Sequence, residues 1–469
     1  MKSTFSNFIK DSCWTIGAQS VSLLSSIIAS FILPKFFTIE QFGYWQYFLL
    51  LASYVGIMHL GYGDGLYLKV GGEYWNSLNR DKWIPELQFI FYSQIFIATI
   101  IISSTLLICQ NTAYLSIFLW TGAYLIIENI YKIITMAMMA TDQMPFVSKT
   151  VMIDKLIMSI IVIYTIISQH KEATYIIGGY TLSHLVVCIM AIRKCELFKK
   201  FYAISTQILK DIIGTCKIGF ILMLANFIAI LIMGLCRFAV EHYWNIEVFS
   251  KLSFSITISS FMLFFISQIG YVLFPTLKRI GESTQAILLE KLDYILTLLP
   301  MVSYIFFFGM YFFILNWLPK YEVSLKYLAF TAPSICYEIR VVLLYNTYFK
   351  NIGKIKQLLY INLITVMFAI GCYSISIYLH NIDMMALSIL AAEIIKVFIM
   401  QKILQKEYTI KASKISIVEI TNTIGFVISY YYFGIYTSMI WYIVIMCLNC
   451  LLFKKETLEF VEFIKNIKK

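Results

Sequence analysis

Apolar segments of about 20 residues recur along the whole chain, and this repetition limits the possible folds more than any other feature. A helix of about 20 apolar residues spans the roughly 30 Å hydrocarbon core of a bilayer. The 469 residues are 60% hydrophobic and 13% charged, whereas soluble domains are about 45–50% apolar and about 25% charged. No water-soluble fold could bury so much apolar surface, so the sequence predicts a polytopic membrane protein.

We predict an all-α fold with about fourteen transmembrane helices. A lipid-exposed segment must satisfy its own backbone hydrogen bonds, which favours helices, and the period-two alternation of barrel strands is missing. The predicted spans are 13–33, 44–64, 88–108, 114–138, 150–168, 174–193, 212–235, 249–274, 293–317, 323–346, 357–379, 384–401, 415–432 and 436–453.

Lysine and arginine are unevenly distributed between the predicted loops. If the N-terminus is cytoplasmic, most of the 37 basic residues lie in or beside cytoplasmic segments, as the positive-inside rule requires. The outside loops hold only Lys35, Lys171, Arg237 and Lys320. We therefore expect both termini in the cytoplasm. The net charge of +11 is explained by topology and by attraction to anionic lipids, without a nucleic-acid partner.

Short echoes at a nearly constant offset suggest that the chain contains two related halves. IEQF at 39–42 reappears as IEVF at 246–249, an offset of 207, and the turns at 141–149 and 349–356 match at an offset of 208. Six helices per half is an even number, so both halves would have the same orientation in the membrane.

This repetition divides the chain into four predicted parts. They are an N-terminal six-helix bundle at 1–195, a basic cytoplasmic linker at 196–211, a pseudo-symmetric C-terminal six-helix bundle at 212–403, and two extra helices with a basic tail at 404–469. In the turn after the first span, we expect Tyr44, Trp45 and Tyr47 to lie at the membrane interface as aromatic anchors.

The motifs around the second span resemble those of a transporter family. The span WTIGAQSVSLLSSIIASFILPKFF (14–37) is followed by the turn IEQFGYWQ (39–46) and by a span ending in HLGYGDGLYLK (59–69). Together with QIGYVLFPTLKR (268–279), these motifs resemble the polysaccharide-biosynthesis flippases, the O-antigen and capsule translocases of the multidrug/oligosaccharidyl-lipid/polysaccharide exporter superfamily. The resemblance covers roughly residues 10–400 and consists of patterns of residue type, without an invariant catalytic signature.

This resemblance implies a flippase that moves undecaprenyl-pyrophosphate-linked oligosaccharide units across the bacterial inner membrane by alternating access. The implied partners are the lipid-linked oligosaccharide and, as further candidates, the polymerase and chain-length regulator of the pathway. A transporter of this kind is not an enzyme and needs no cofactor, while coupling to a proton or a sodium gradient stays open.

Basic residues inside the predicted spans are the candidate substrate site, because a charge at mid-helix costs about 2.5–3.5 kcal/mol on insertion scales. At the 208 offset, Lys132 in the fourth span falls on Arg340 in the tenth, so each half would present a cation at the same depth. Arg340, Lys132, Arg237 and Lys251 would then line a central cavity and bind pyrophosphate oxygens.

A structural alternative stays open for most of these charges. Glu128 with Lys132, and Glu393 with Lys396, have helical spacings that suit ion pairs. Arg237 would instead reach the membrane surface with its charged end, as would Lys251 and Lys326. Arg340 has no acid at i,i+4, which favours a cavity role.

Carboxylates inside transport helices commonly carry protons or bind sodium, so Glu128, Glu338 and Asp64 are the candidates for ion coupling. The five histidines show no paired metal spacing, and we predict no metal site. Two other functions stay open. One is a polysaccharide polymerase or ligase of the same pathway, although those families usually carry a large extracytoplasmic loop. The other is a multidrug or small-molecule exporter of the same superfamily.

Overall fold

The computed structural model describes residues 2–71, 73–203, 205–297, 299–410 and 415–452, and these residues form helices and turns without a β-strand. The α-helices are α1 (Lys2–Phe36), α2 (Ile39–Tyr54), α3 (Tyr62–Val70), α4 (Arg80–Ile108), α5 (Thr112–Ala140), α6 (Met144–Ile167), α7 (Ala173–Cys195), α8 (Thr206–Tyr243), α9 (Ile246–Arg279), α10 (Glu282–Leu296), α11 (Leu299–Trp317), α12 (Ser324–Arg340), α13 (Asn346–Asn351), α14 (Ile355–Tyr378), α15 (Ile382–Glu407), α16 (Ile415–Phe433) and α17 (Ile435–Leu452).

Each of the fourteen predicted spans falls on one helix or on consecutive helices. Eight helical segments of the described residues are both long and apolar enough to cross a bilayer, such as Thr112–Ala140 and Ile355–Tyr378. The predicted all-α, multi-pass membrane fold is therefore confirmed.

The chain separates into two compact units, Met1–Ile230 and Leu231–Lys469. The division falls within α8. This helix starts at Thr206, which lies inside the predicted linker 196–211. The predicted domain boundaries, like the predicted cytoplasmic position of both termini, stay predictions.

The second predicted span is broken into two helices in the first unit. After α2, residues Val55–His59 form a 3-10 turn, and Leu60 and Gly61 take positive φ angles of 51° and 79° before α3 begins. Backbone groups freed inside a membrane need other partners. Asn129 of α5 donates to the Val55 carbonyl at 3.1 Å. Gln94 of α4 donates to the Met58 carbonyl at 3.2 Å.

Glycines bring α3 and α8 into backbone contact. A Cβ on Gly65 would overlap the Thr215 carbonyl oxygen, and one on Gly219 would overlap the Gly61 carbonyl oxygen and the Gly65 nitrogen. Small residues allow such close approach of membrane helices. The Lys69 ammonium donates to the Thr215 hydroxyl at 2.5 Å, so this contact also holds a polar bond.

In the second unit, α12 lies at the centre and packs against α9, α11 and α15. Nearly all of its side chains are buried, which explains how a helix with many polar residues is accommodated. It continues into a π-helical turn, Val341–Tyr345, before α13. The second span of this unit, α9, is one unbroken helix of 34 residues.

The start of α2 is a capped helix end that leads into a run of buried aromatic residues. Thr38 caps the helix by accepting from the Gln41 amide. The prediction that Tyr44, Trp45 and Tyr47 are interfacial anchors is wrong, because all three are buried. Their rings meet aromatic rings of α5 and α7, so they fill an aromatic core between helices.

Candidate functional site

Arg340 is enclosed by acceptors from two other helices. Its side chain is 0% exposed, Nε donates to Oδ1 of Asp293 on α10 at 2.8 Å, and Nη1 donates to Oε2 of Glu419 on α16 at 2.7 Å. Asp293 also accepts from the Tyr345 hydroxyl at 2.6 Å and from the Gln401 amide at 2.8 Å. We call these five residues the sealed cluster. Two carboxylates already bind this guanidinium, and its predicted role in substrate binding stays a prediction.

The π-helical turn positions one member of the sealed cluster. It begins directly after Arg340, and its hydrogen bonds join residues five apart. The wider turn places the Tyr345 ring 5.6 Å from the Arg340 guanidinium carbon and lets both side chains bind the same oxygen of Asp293. The distortion of α12 therefore serves this group of charges.

A second group of charges lies between α12 and α15. Lys396 donates to both carboxylate oxygens of Glu393 at 3.3 Å, and the predicted i,i+3 pair is confirmed. Glu338 of α12 is partly exposed and interacts electrostatically with both. We call these three residues the α12–α15 cluster. Like the sealed cluster, it holds two carboxylates and one cation.

A third group, which we call the histidine cluster, joins α5, α6 and α7 in the first unit. Its members are Glu128, Asp154, Lys155, Ser183 and His184. Asp154 Oδ1 accepts from the Ser183 hydroxyl at 2.7 Å and lies 3.1 Å from His184 Nδ1, while Oδ2 lies 2.9 Å from the Lys155 ammonium. Glu128 Oε2 is 4.0 Å from His184 Nε2. This cluster includes the coupling candidate Glu128.

Glu128 and Lys132 do not form the ion pair that the structural alternative predicts. No ion pair joins the two among the described residues, and Glu128 instead lies 4.0 Å from His184 Nε2 in the histidine cluster. The exposed Lys132 points instead to the broken second span, since its ammonium would lie 3.2 Å from a Cβ placed on Gly56. That part of the structural alternative is wrong.

Asp64 lies at the start of α3, beside the break. Its side chain is buried, accepts no side-chain hydrogen bond among the described residues, and interacts electrostatically with Lys132. Position three of a helix suits a carboxylate, because the N-terminal amides carry partial positive charge. Its role in ion coupling stays a prediction, as does that of Glu338.

The remaining two candidate cations, Arg237 and Lys251, lie on α8 and α9 and are partly exposed. Arg237 donates to the Ser253 hydroxyl at 3.0 Å, and its guanidinium lies 5.5 Å from the Phe249 ring. Both residues stay candidates for substrate binding.

The predicted equivalence of Lys132 and Arg340 can be compared with the helix starts in the two units. The fifth span begins at Met144 and its counterpart at Ile355, an offset of 211, whereas α9 starts 207 residues after α2. The connection before α12 is three residues longer than the one before α5. At the 211 offset Lys132 corresponds to Leu343, and Arg340 lies three residues earlier, about 4.5 Å along a helix. The helix starts thus differ from the 208 offset at this position, and the equivalence of Lys132 and Arg340 stays a prediction.

The sequence analysis missed the acids and the histidine that organise these clusters. Asp293 and Glu419 are 47 and 79 residues from Arg340, so no local spacing reveals them. Asp154 lies on α6 and His184 on α7, so no spacing within one helix joins them. Their position inside apolar spans was a usable signal. Burying Asp154 or His184 in a membrane span costs free energy, as burying lysine or arginine does.

Neither a protein-family model nor a curated protein sequence matches this chain. Solved structures do match. The lipid II flippase MurJ in an inward closed conformation has a TM-score of 0.58 at 13% identity, covering 95% of this chain and 99% of MurJ. An inward-facing multidrug resistance MATE transporter of the MOP superfamily has a TM-score of 0.56 at 12% identity, covering 83% and 98%.

A third match is the MATE transporter ClbM in complex with Rb⁺, with a TM-score of 0.50 at 14% identity, covering 87% of this chain and 95% of ClbM. At these identities the likeness concerns the fold. It agrees with the all-helical membrane architecture of the described residues and with the resemblance of the sequence motifs. The chain therefore has a fold similar to that of the lipid II flippase MurJ and of the MATE transporters.

Proposed function

We propose that this protein is a flippase that moves undecaprenyl-pyrophosphate-linked oligosaccharide units, of the O-antigen or capsule type, from the cytoplasmic to the outer leaflet of a bacterial inner membrane. It works by alternating access of its two units, without a catalytic step. The pathway's polymerase and chain-length regulator are proposed as its partners.

The observation that carries the proposal is the extent of the match to MurJ, whose name states that it flips lipid II. The match spans nearly the whole of both chains, so it includes helices beyond the region matched to the MATE transporter. The motifs around IEQFGYWQ and HLGYGDGLYLK resemble those of the polysaccharide flippases and support the same substrate class.

Chemistry available in the chain supports an anionic lipid-linked substrate. Lys132 is an exposed cation on an apolar helix, without an ion pair in the described part of the chain. Lys251 and Arg237 are also partly exposed. Ammonium and guanidinium groups bind phosphate oxygens strongly, so these three residues are the proposed contacts of the pyrophosphate.

The test is reconstitution of the purified protein in liposomes with a fluorescent undecaprenyl-pyrophosphate disaccharide. The probe is quenched by a reagent that acts only on the outer leaflet. We expect inner-leaflet probe to move outwards and be quenched much faster than in protein-free liposomes. A matched probe lacking the pyrophosphate should move several-fold more slowly. Movement of neither probe would refute the proposal.

The alternative is a small-molecule exporter, favoured by the MATE matches at TM-scores of 0.56 and 0.50. The same liposomes separate the two functions. Export of a small organic cation without movement of the lipid-linked probe would identify an exporter.

A further inference from the structure

We propose that Glu128 and His184 of the histidine cluster together bind one exchangeable proton, and that this proton couples transport to a proton gradient. The proposal deepens and rests on the proposed transport function, although the proton site itself can be tested without it. Its ligand is a proton from water, taken up by the imidazole Nε2 lone pair without breaking any other bond.

The hydrogen-bond partners of His184 determine which ring nitrogen is free. Nδ1 lies 3.1 Å from Asp154 Oδ1 and 3.1 Å from the Tyr180 carbonyl oxygen, and both atoms are acceptors. Nδ1 therefore carries a hydrogen in the neutral ring, a tautomer that follows from these partners. The unprotonated nitrogen is Nε2, which faces Glu128 Oε2 at 4.0 Å.

Charge balance in the cluster calls for one more positive charge. Glu128 and Asp154 supply two negative charges and Lys155 supplies one positive charge, so the cluster is neutral only when one proton is added. A net charge inside a membrane protein is costly. Histidine is the side chain whose charge changes near neutral pH. The free Nε2 of His184 already faces the Glu128 carboxylate.

The other ionisable groups around His184 leave this balance unchanged. The Tyr124 ring of α5 and the Tyr180 ring of α7 pack against the His184 ring, and Tyr180 also faces the Lys155 ammonium at 5.5 Å. Tyr131 of α5 interacts electrostatically with Asp154 and Glu128. From α2, Trp45 packs against Tyr180 as an uncharged ring. Cys188, one turn further along α7, completes the set. Lys155 thus remains the cluster's one permanent cation.

Proton binding would add a direct polar bond between α5 and α7, which already pack against each other through the Tyr124 and Tyr180 rings. A distance of 4.0 Å is too long for a hydrogen bond, whereas a protonated Nε2 would donate to Glu128 at about 2.8 Å. Closing this gap draws α7 towards α5, while Asp154 stays tied to His184 through Nδ1. Glu128 and Lys155 each keep 22% of their side chains exposed, which gives the proton a route to the pair.

The first experiment is an NMR titration of the full-length protein in detergent micelles, with ¹³C at histidine Cε1. His184 is assigned by its loss in H184Q, or by elimination with glutamine at the other four histidines if H184Q does not fold. We expect the His184 signal to change between pH 5 and pH 8, the range in which histidines bind a proton, and we expect this change to differ in E128Q. A constant His184 shift over this range would overturn the proposal.

The second experiment measures flipping of the fluorescent undecaprenyl-pyrophosphate disaccharide in liposomes with and without a pH gradient. The gradient should raise the wild-type rate several-fold and leave the H184Q rate unchanged, while H170Q, altered in the loop between α6 and α7, behaves as wild type. A full gradient response in H184Q would overturn the coupling. If the wild type moves no probe, the proposed function fails, and the NMR titration still decides whether the proton site exists.

Discussion

The second span is built differently in the two units. Both start with a capped IEQF or IEVF segment, at Thr38 in the first unit and at Asn245 in the second. In the first unit the span breaks between Val55 and Gly61, whereas α9 continues unbroken for 34 residues. The same helix start therefore permits two outcomes, and the polar partners on neighbouring helices determine which one is stable.

The buried charges differ between the units in a related way. The sealed cluster and the histidine cluster both combine two carboxylates with one permanent cation. Arg340 is 0% exposed and binds carboxylates of α10 and α16. In the histidine cluster, the Glu128 and Lys155 side chains are partly exposed, and Nε2 of His184 is unprotonated. One arrangement suits a fixed connection between helices, and the other suits exchange of a proton.

The largest effect is expected from breaking the sealed cluster. Arg340→Ala leaves Asp293 and Glu419 buried without a cation, which costs about 3–5 kcal/mol of unfolding free energy. The thermal denaturation midpoint (Tm) in detergent measures this loss. Lys326→Ala, an exposed cation on the same helix, is the control and should change Tm little. A normal Tm together with lost flipping would move Arg340 from a structural role to the substrate site.

A smaller loss is expected where α3 meets α8. Gly65→Ala introduces a Cβ that overlaps the Thr215 backbone, and overpacking of this kind costs about 1–3 kcal/mol. Gly214→Ala, on the same face-to-face pair of helices but with open space around its Cβ, is the matched control. Equal Tm values for the two variants would mean that this helix contact contributes nothing to stability.

The break in the second span depends on Asn129. Asn129→Leu removes the donor to the Val55 carbonyl and to the side chain of Gln94. Side-chain hydrogen bonds in membrane proteins contribute about 0.6 kcal/mol on average, so we expect a loss of about 1 kcal/mol. Asn316→Leu removes an exposed asparagine of α11 and serves as the control. An unchanged Tm for Asn129→Leu would show that the break is stable without this bond.

The smallest effect on stability is expected for Lys132. Lys132→Ala removes an exposed side chain that forms no ion pair with the residues the structure describes, so the unfolding free energy should change by less than about 0.5 kcal/mol. Flipping should nevertheless fall about tenfold, which corresponds to about 1.4 kcal/mol of lost binding. Lys171→Ala, in the loop before α7, is the control. Unchanged flipping would remove Lys132 from the substrate site.

Much of the helical architecture could be predicted from sequence, because hydropathy and segment length both report directly on a bilayer. The break at Val55–Gly61 could not. The run 44–64 is mostly apolar, and glycine is common in intact membrane helices. Asn129 and Gln94, which bind backbone carbonyls at the break, lie far from this run in the sequence.

Local spacing predicted one ion pair correctly and another wrongly. Glu393 and Lys396 are buried with few alternatives, so the i,i+3 neighbours bind each other. Glu128 has His184 within reach on a neighbouring helix, while Lys132 extends towards the break. The acids that bind Arg340 lie on α10 and on α16, a helix that the sequence presents as an addition to the twelve-helix core. Helix packing, which a single sequence does not specify, decides such pairs.

The order of the sealed cluster along the chain has a consequence for biosynthesis. Asp293 leaves the ribosome first, Arg340 follows 47 residues later, and Glu419 after a further 79 residues. The arginine thus enters the membrane with one carboxylate already present, as a neutral pair. Glu419 can bind Arg340 only when α16 inserts. This late helix therefore binds a charge that an earlier helix has already brought into the bilayer.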